Sequence, residues 1–173
     1  MKNFSALFIL TLVFTAALSS GASLSPINGV VVDRNTKLPL HWHVQAQKDD
    51  KAAVKTILNE KGRTKAVSFA PQKARIDFFG NPMPFEKGDE FTLKVKIKGT
   101  GKVSLAYLGY RADNKFLYST AGKTIVLDGK EQEISTHFVV TDGKEYPIAK
   151  LRASLRIMPG TVCEVSSIVL EEE

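Results

Sequence analysis

From Gly88 onward the chain alternates. Phe91, Leu93, Val95 and Ile97 are separated by Thr92, Lys94, Lys96 and Lys98. A period of two puts the four apolar residues on one side of a strand and the lysines on the other. Gly99-Thr100-Gly101 interrupts the pattern and predicts a tight turn, after which "KVSLAYLGY" predicts a second strand. "RADN" reads as a hairpin turn and "KFLYST" as its return strand. "KTIVLDGKEQEISTHFVVTDG" predicts two more strands joined around Asp128-Gly129. Ala149, Leu151, Ala153, Leu155 and Ile157 then alternate with Lys150, Arg152, Ser154 and Arg156. "TVCEVSSIVLEEE" predicts a last strand with an acidic tail.

The first half of the chain carries shorter signals. "LHWHVQAQ" predicts a strand with Trp42, Val44 and Ala46 on one side. "AAVKTILNEKGRTKAVSFA" predicts two strands joined at Lys61-Gly62, although Val54, Ile57 and Leu58 also fit one face of a helix. A strand follows around Ile76 to Phe79, then a loop whose Pro82 and Pro84 exclude a central strand. About nine or ten short strands at this spacing predict an all-β sandwich of two antiparallel sheets.

The chain opens differently. Lys2 precedes an apolar run from Phe4 to Leu18, and "SSGAS" follows. This is the layout of a cleavable secretory signal peptide, with cleavage expected after Ala22. The run falls short of the roughly 20 residues a spanning helix needs, so no stable membrane anchor is expected. No cysteine follows it that could carry a lipid. Residues 1–22 are therefore assigned as signal peptide and 23–173 as one β-sandwich domain. Removing the signal leaves about 150 residues, enough for one core without disulfides or metal. The expected location is secreted or periplasmic.

The net charge of +6 is spread along the chain. That balance suits acidic polysaccharides or anionic surfaces, and export argues against a nucleic-acid partner. Cys163 is the only cysteine and has no base beside it in sequence, so it reads as a small buried hydrophobe. His41 and His43 flank Trp42 and share one face of a strand. They could hold a metal only if Asp33 or Asp49 joined them, and nothing in the sequence supplies that closure. No nucleophile elbow, zincin motif or phosphate-binding loop is present. The reading is that of a protein that is not an enzyme, with no cofactor and no metal.

The order of these pieces resembles a known family. "GDEFTLKVKIKGTGKVSL" looks like the middle of carbohydrate-binding modules with the galactose-binding-domain-like jelly roll. "GYRADNK", "HFVV", "LRASLRI" and "GTVCEVSSIVL" follow in the order those modules use, and "LPLHW" is similar to their early Pro-x-x-Trp. The resemblance covers about residues 28 to 171. It implies a jelly-roll β-sandwich. Members often carry an Asp-Asp before the final strand residues, one of which helps hold a structural calcium. Ser166 and Ser167 stand there in this chain, and serine is a poor ligand for a hard cation. "NGVVVD" also replaces the usual Asn-x-x-Phe-Glu, so the calcium is not carried over.

Sugar binding needs an aromatic platform beside hydrogen-bonding groups. Trp42 is either a platform or, as the resemblance implies, a core residue. Tyr107 shares the inward face of Val103 and Leu105, which makes it core. Tyr110 lies at a loop edge beside Arg111, Asp113 and Asn114. Arg152 and Arg156 offer guanidinium forks that match carboxylate and sulfate. The candidate ligand-binding set is Tyr110, Arg111, Asn114, Trp42, Arg152 and Arg156. The expected function is an exported, non-catalytic module that binds carbohydrate, acidic polysaccharide included. The alternative is an exported structural or protein–protein interaction module on the same fold. The row Lys94, Lys96 and Lys98 is read either as a wet surface or as an acidic-glycan face.

Overall fold

The structure is a computed structural model that describes residues 24, 26–46, 50 and 53–173. The expected signal peptide and Asp49 lie outside the described residues. Among the described residues ten strands form, all paired antiparallel. They are β1 (His43–Gln45), β2 (Val54–Leu58), β3 (Thr64–Phe69), β4 (Ile76–Phe79) and β5 (Met83–Pro84). The remainder are β6 (Glu90–Tyr110), β7 (Phe116–Ala121), β8 (Ile125–Val139), β9 (Lys150–Ile157) and β10 (Val162–Glu172). Val54, Ile57 and Leu58 belong to a strand, so the helix alternative is excluded there. Among the described residues no helix is long and apolar enough to cross a membrane.

Hydrogen bonding runs in the order β1-β4-β9-β6-β10-β3-β2, with β7 and β8 along the other edge of β6 and β5 on β9. β6 is shared by both layers of the sandwich. Its first part pairs with β10 and β8, and its second part pairs with β9 and β7. The turn expected at Gly99-Thr100-Gly101 does not form. The chain passes through as one strand, with Gly99 at φ 152° and Gly101 at φ 109°. The turn expected at Asp128-Gly129 is likewise a bend inside β8, with Gly129 at φ 91°. The β6–β8 register slips at this level, between Lys98 and Thr100. Both strands of the ribbon therefore bend together and fold the sheet over onto itself. Glycine allows a strand to bend as readily as it allows a turn, and only the partner strands decide which.

The inward rows of the two layers make one core. Phe91 of β6 meets Tyr107 and Phe138, and Phe69 of β3 meets Phe78 of β4 at 5.1 Å between ring centroids. Leu93, Val95, Ile97, Leu151, Leu155 and Ile157 are buried as the alternation requires. Each such side chain stabilises the fold by about 1.5 to 3 kcal/mol relative to exposure. Cys163 is also buried, and burial, then the charge of Glu164, push its thiol up to about 12. A thiol held protonated has no nucleophile to offer.

Candidate binding face

The sandwich has two outward faces, and each carries one of the basic rows. On the face of β10, β6 and β8, Lys96 lies opposite Glu133, and Lys98 lies between Glu131 and Glu164. Lys94 reaches Glu171 at 2.6 Å, and that bond raises its pKa. Three lysines thus meet four glutamates. Opposite charges across neighbouring strands stabilise a sheet and leave little field for an anion. The lysine row is a charge ladder on a wet surface.

The second face is built by β1, β4, β9, the second part of β6, and β7. Ser154 sits opposite Ala106 on one side and Phe79 on the other. Ser104, Ala106 and Ser154 are buried although their register turns them outward. Longer side chains stand around this floor. The Arg152 guanidinium lies 5.3 Å from the ring centroids of both Phe79 and Tyr110, within cation–π range. Arg156 Nε is 3.5 Å from Asp77 Oδ1, while Arg75 takes Asp77 Oδ2 at 2.9 Å. Burial, then repulsion from Arg75, lower the pKa of Arg156 against the pull of Asp77. Asp77 Oδ1, Arg152 Nε, Ser154 Oγ and Arg156 Nε are buried without a hydrogen-bond partner. Such atoms are costly unless water or a ligand meets them.

The structure brings Tyr110, Arg152 and Arg156 of the expected set onto this one face. Asn114 contributes from the hairpin rim, where its left-handed backbone (φ 64°) lets its side-chain oxygen accept Lys150 Nζ at 2.9 Å. Arg111 turns elsewhere, pairing with Asp113 at 3.2 Å and stacking 4.1 Å from the Tyr146 ring centroid. Trp42 leaves the set as a platform. It is 2% exposed and stacks on Phe78 at 4.7 Å. It precedes β1, and His41 lies in a turn at φ 71°, so the expected strand does not extend back over these two residues. Phe79, Asp77 and Ser154 join the face and were not singled out from the sequence. The doublet Phe78-Phe79 carried a signal, since alternation buries one ring and turns the other outward. Phe116 extends the rim, 57% exposed and edging Tyr110 at 5.8 Å, while Tyr146, 45% exposed, lies with Arg111. Phe116 and Tyr146 line a cleft of about 520 Å³.

The two histidines near Trp42 converge on one amide. Asn81 Oδ1 meets His43 Nε2 at 2.9 Å, and Asn81 Nδ2 donates to His41 Nδ1 at 3.1 Å. Asp33 is held by its own turn, accepting from the Asn35 and Thr36 amides. Glu90, His137 and Glu173 bring three possible metal-ligand atoms within 4.8 Å of one another. His137 there faces Glu90 with Nε2 at 3.2 Å and Glu173 with Nδ1 at 3.3 Å. The carboxylates sit at different ring nitrogens, and these contacts link the end of the chain to β6 and β8.

No family profile and no curated protein matches the sequence. Solved structures share the fold at low identity. One described as CBM4 is 10% identical with a TM-score of 0.51, over 86% of this chain and 95% of that one. An arabinose-bound GH51 α-L-arabinofuranosidase is 11% identical with a TM-score of 0.56, over 87% of this chain. The Clostridium thermocellum xylanase 10B CBM22-1–GH10 modules, complexed with xylohexaose, are 11% identical with a TM-score of 0.53, over 77% of this chain. This chain spans 26% of the length of each of those two enzymes. Identities this low establish fold alone. The fold is the all-β jelly-roll sandwich that the sequence led us to expect.

Proposed function

We propose that this protein is an exported carbohydrate-binding module with no catalytic activity of its own. The observation that carries the reading is the Phe79–Arg152–Tyr110 arrangement above an unsatisfied Ser154 hydroxyl. A pyranose packs its apolar face on a ring and offers hydroxyls to nearby donors, and this face supplies both. Its polar groups sit on hydrogen-bonded strands, so they are pre-positioned. The likeness in fold to a CBM4 structure supports the reading, and the Phe4–Leu18 run supports export.

Pull-down on insoluble polysaccharides and a glycan array test it directly. The parent should bind at least one polysaccharide. Tyr110→Ala should weaken that binding by about tenfold, the equivalent of one 1.4 kcal/mol contact, with the melting temperature little changed. Undiminished binding by the folded variant would remove this face as the site. The exposed rings of Phe116 and Tyr146 and the Arg111 stacked on Tyr146 favour a second reading, a protein–protein interaction module. Capture of a defined exported protein with no glycan bound would select it.

A further inference from the structure

The two basic rows differ in what opposes them. The lysine row is met by four glutamates. The outward positions of β1, β4, β9, β7 and the second part of β6 hold three cations, Lys150, Arg152 and Arg156, against one carboxylate, Asp77. That carboxylate is already taken by Arg75 and Arg156. Lys150 is satisfied by neutral oxygens, Asn114 Oδ1 at 2.9 Å and the Ala112 carbonyl at 3.3 Å. Arg152 is half-buried, its Nε has no hydrogen-bond partner, and it makes no ion pair among the described residues. A partly desolvated guanidinium held between two rings with no anion is an incomplete pair.

We infer that this face takes a polyuronate, with a uronic-acid carboxylate seated on Arg152. This rests on the carbohydrate-binding reading above. The planar, two-oxygen carboxylate matches the guanidinium fork bidentately, and a carboxylate is what the face lacks. Tyr110, half-buried, gives the sugar ring an apolar wall, while Phe79, 9% exposed and stacked on His43, backs the fork. The unsatisfied Ser154 hydroxyl lies two residues along β9 in the buried floor beneath the site, so direct contact with the sugar falls to Arg152 and Tyr110. Arg156 stands four residues from Arg152 on the same strand face, about 13 Å away at the usual strand rise. Arg156 is 11% exposed and already paired with Asp77, so Arg152 is the seat for the carboxylate.

Affinity measurements with polygalacturonate and its fully methyl-esterified form isolate the charge on one backbone. Polygalacturonate should bind about 10- to 100-fold tighter, as expected for one charge-assisted pair, and the preference should shrink as salt rises. Arg152→Gln should abolish the preference, and Arg152→Lys should keep only a small part of it, because the point charge lacks the fork. The triple change of Lys94, Lys96 and Lys98 to Gln should leave it intact. Equal affinity for both forms, tighter binding of a neutral xylan or of dextran sulfate, or loss of the preference in the lysine variant would overturn the inference. Binding only to neutral glycans would do so while leaving the carbohydrate reading standing. Failure to bind any polysaccharide would remove that reading too. The ester comparison needs no variant, so it decides the matter even if Arg152→Gln does not fold.

Discussion

Asp50 gathers three backbone amides on one carboxylate: Gln72 at 3.0 Å, Lys73 at 3.3 Å and Ala74 at 2.8 Å. The Gln72 bond is the main reason its pKa is lowered, with burial opposing and the Ala74 and Lys73 bonds adding. A depressed carboxylate stabilises the fold fully above its unfolded value of about 3.9, and that contribution disappears as pH falls through the folded value. The melting temperature should therefore decline from about pH 4 downward. Asp50→Asn should melt lower at pH 7 and show a shallower acid decline, because one of the titrating groups is gone. A variant with the parent's acid limb would assign that limb to the other depressed carboxylates, Asp33, Asp113 and Glu173. The same lesson applies at Arg152. A residue's identity sets which bonds it can form, and its neighbours set which ones remain open.

At the scale of the elements, the bend in β6 is the feature on which the sandwich depends. A Cβ on Gly101 would fall 2.6 Å from both Cα and Oγ1 of Thr161. Thr161 Oγ1 accepts the Lys102 amide and donates to the Lys102 carbonyl, each at 2.9 Å, which clamps the start of β10 onto β6. Gly101→Ala should therefore cost roughly 1 to 3 kcal/mol in chemical denaturation, from backbone strain and displacement of that clamp. Unchanged stability would show that the bend needs neither the left-handed backbone nor the close approach. Bending in place of turning also has a consequence for the site. β6 carries Lys94 and Lys96 outward on one layer and Tyr110 outward on the other, so one strand contributes to both charged faces.

For the whole molecule, a net charge of +6 says that anions are favoured partners and does not say where. The fold divides that charge into a balanced face and a face short of carboxylate. Both lie on a single sandwich, so the two faces can be varied independently, as the lysine triple variant does. Export is the other whole-molecule property. Intact-mass analysis of the mature protein should give a chain beginning at Ser23, as expected for small residues closing a signal peptide. A mature chain that retains Met1 would mean that the apolar run is not removed.

The alternation at Phe91 to Ile97 and at Ala149 to Ile157 was sufficient to assign those strands, their faces and the inward rows they give to the core. A side-chain period of two leaves little choice once one face is apolar. Tyr110, Arg152 and Arg156 were likewise legible, as polar or amphipathic residues on the outward rows or at a turn. The sequence could not tell a turn from a bend at Gly99 to Gly101 or at Gly129, because glycine permits both and hydrogen bonding to β8 and β10 makes the choice. It could not place Trp42, since burial of a ring depends on what covers it, and Phe78 does. Nor could it show that glutamates far along the chain neutralise Lys94, Lys96 and Lys98 while no carboxylate among the described residues reaches Arg152. Those pairings join residues from distant strands, and only the sheet register brings them within reach of one another.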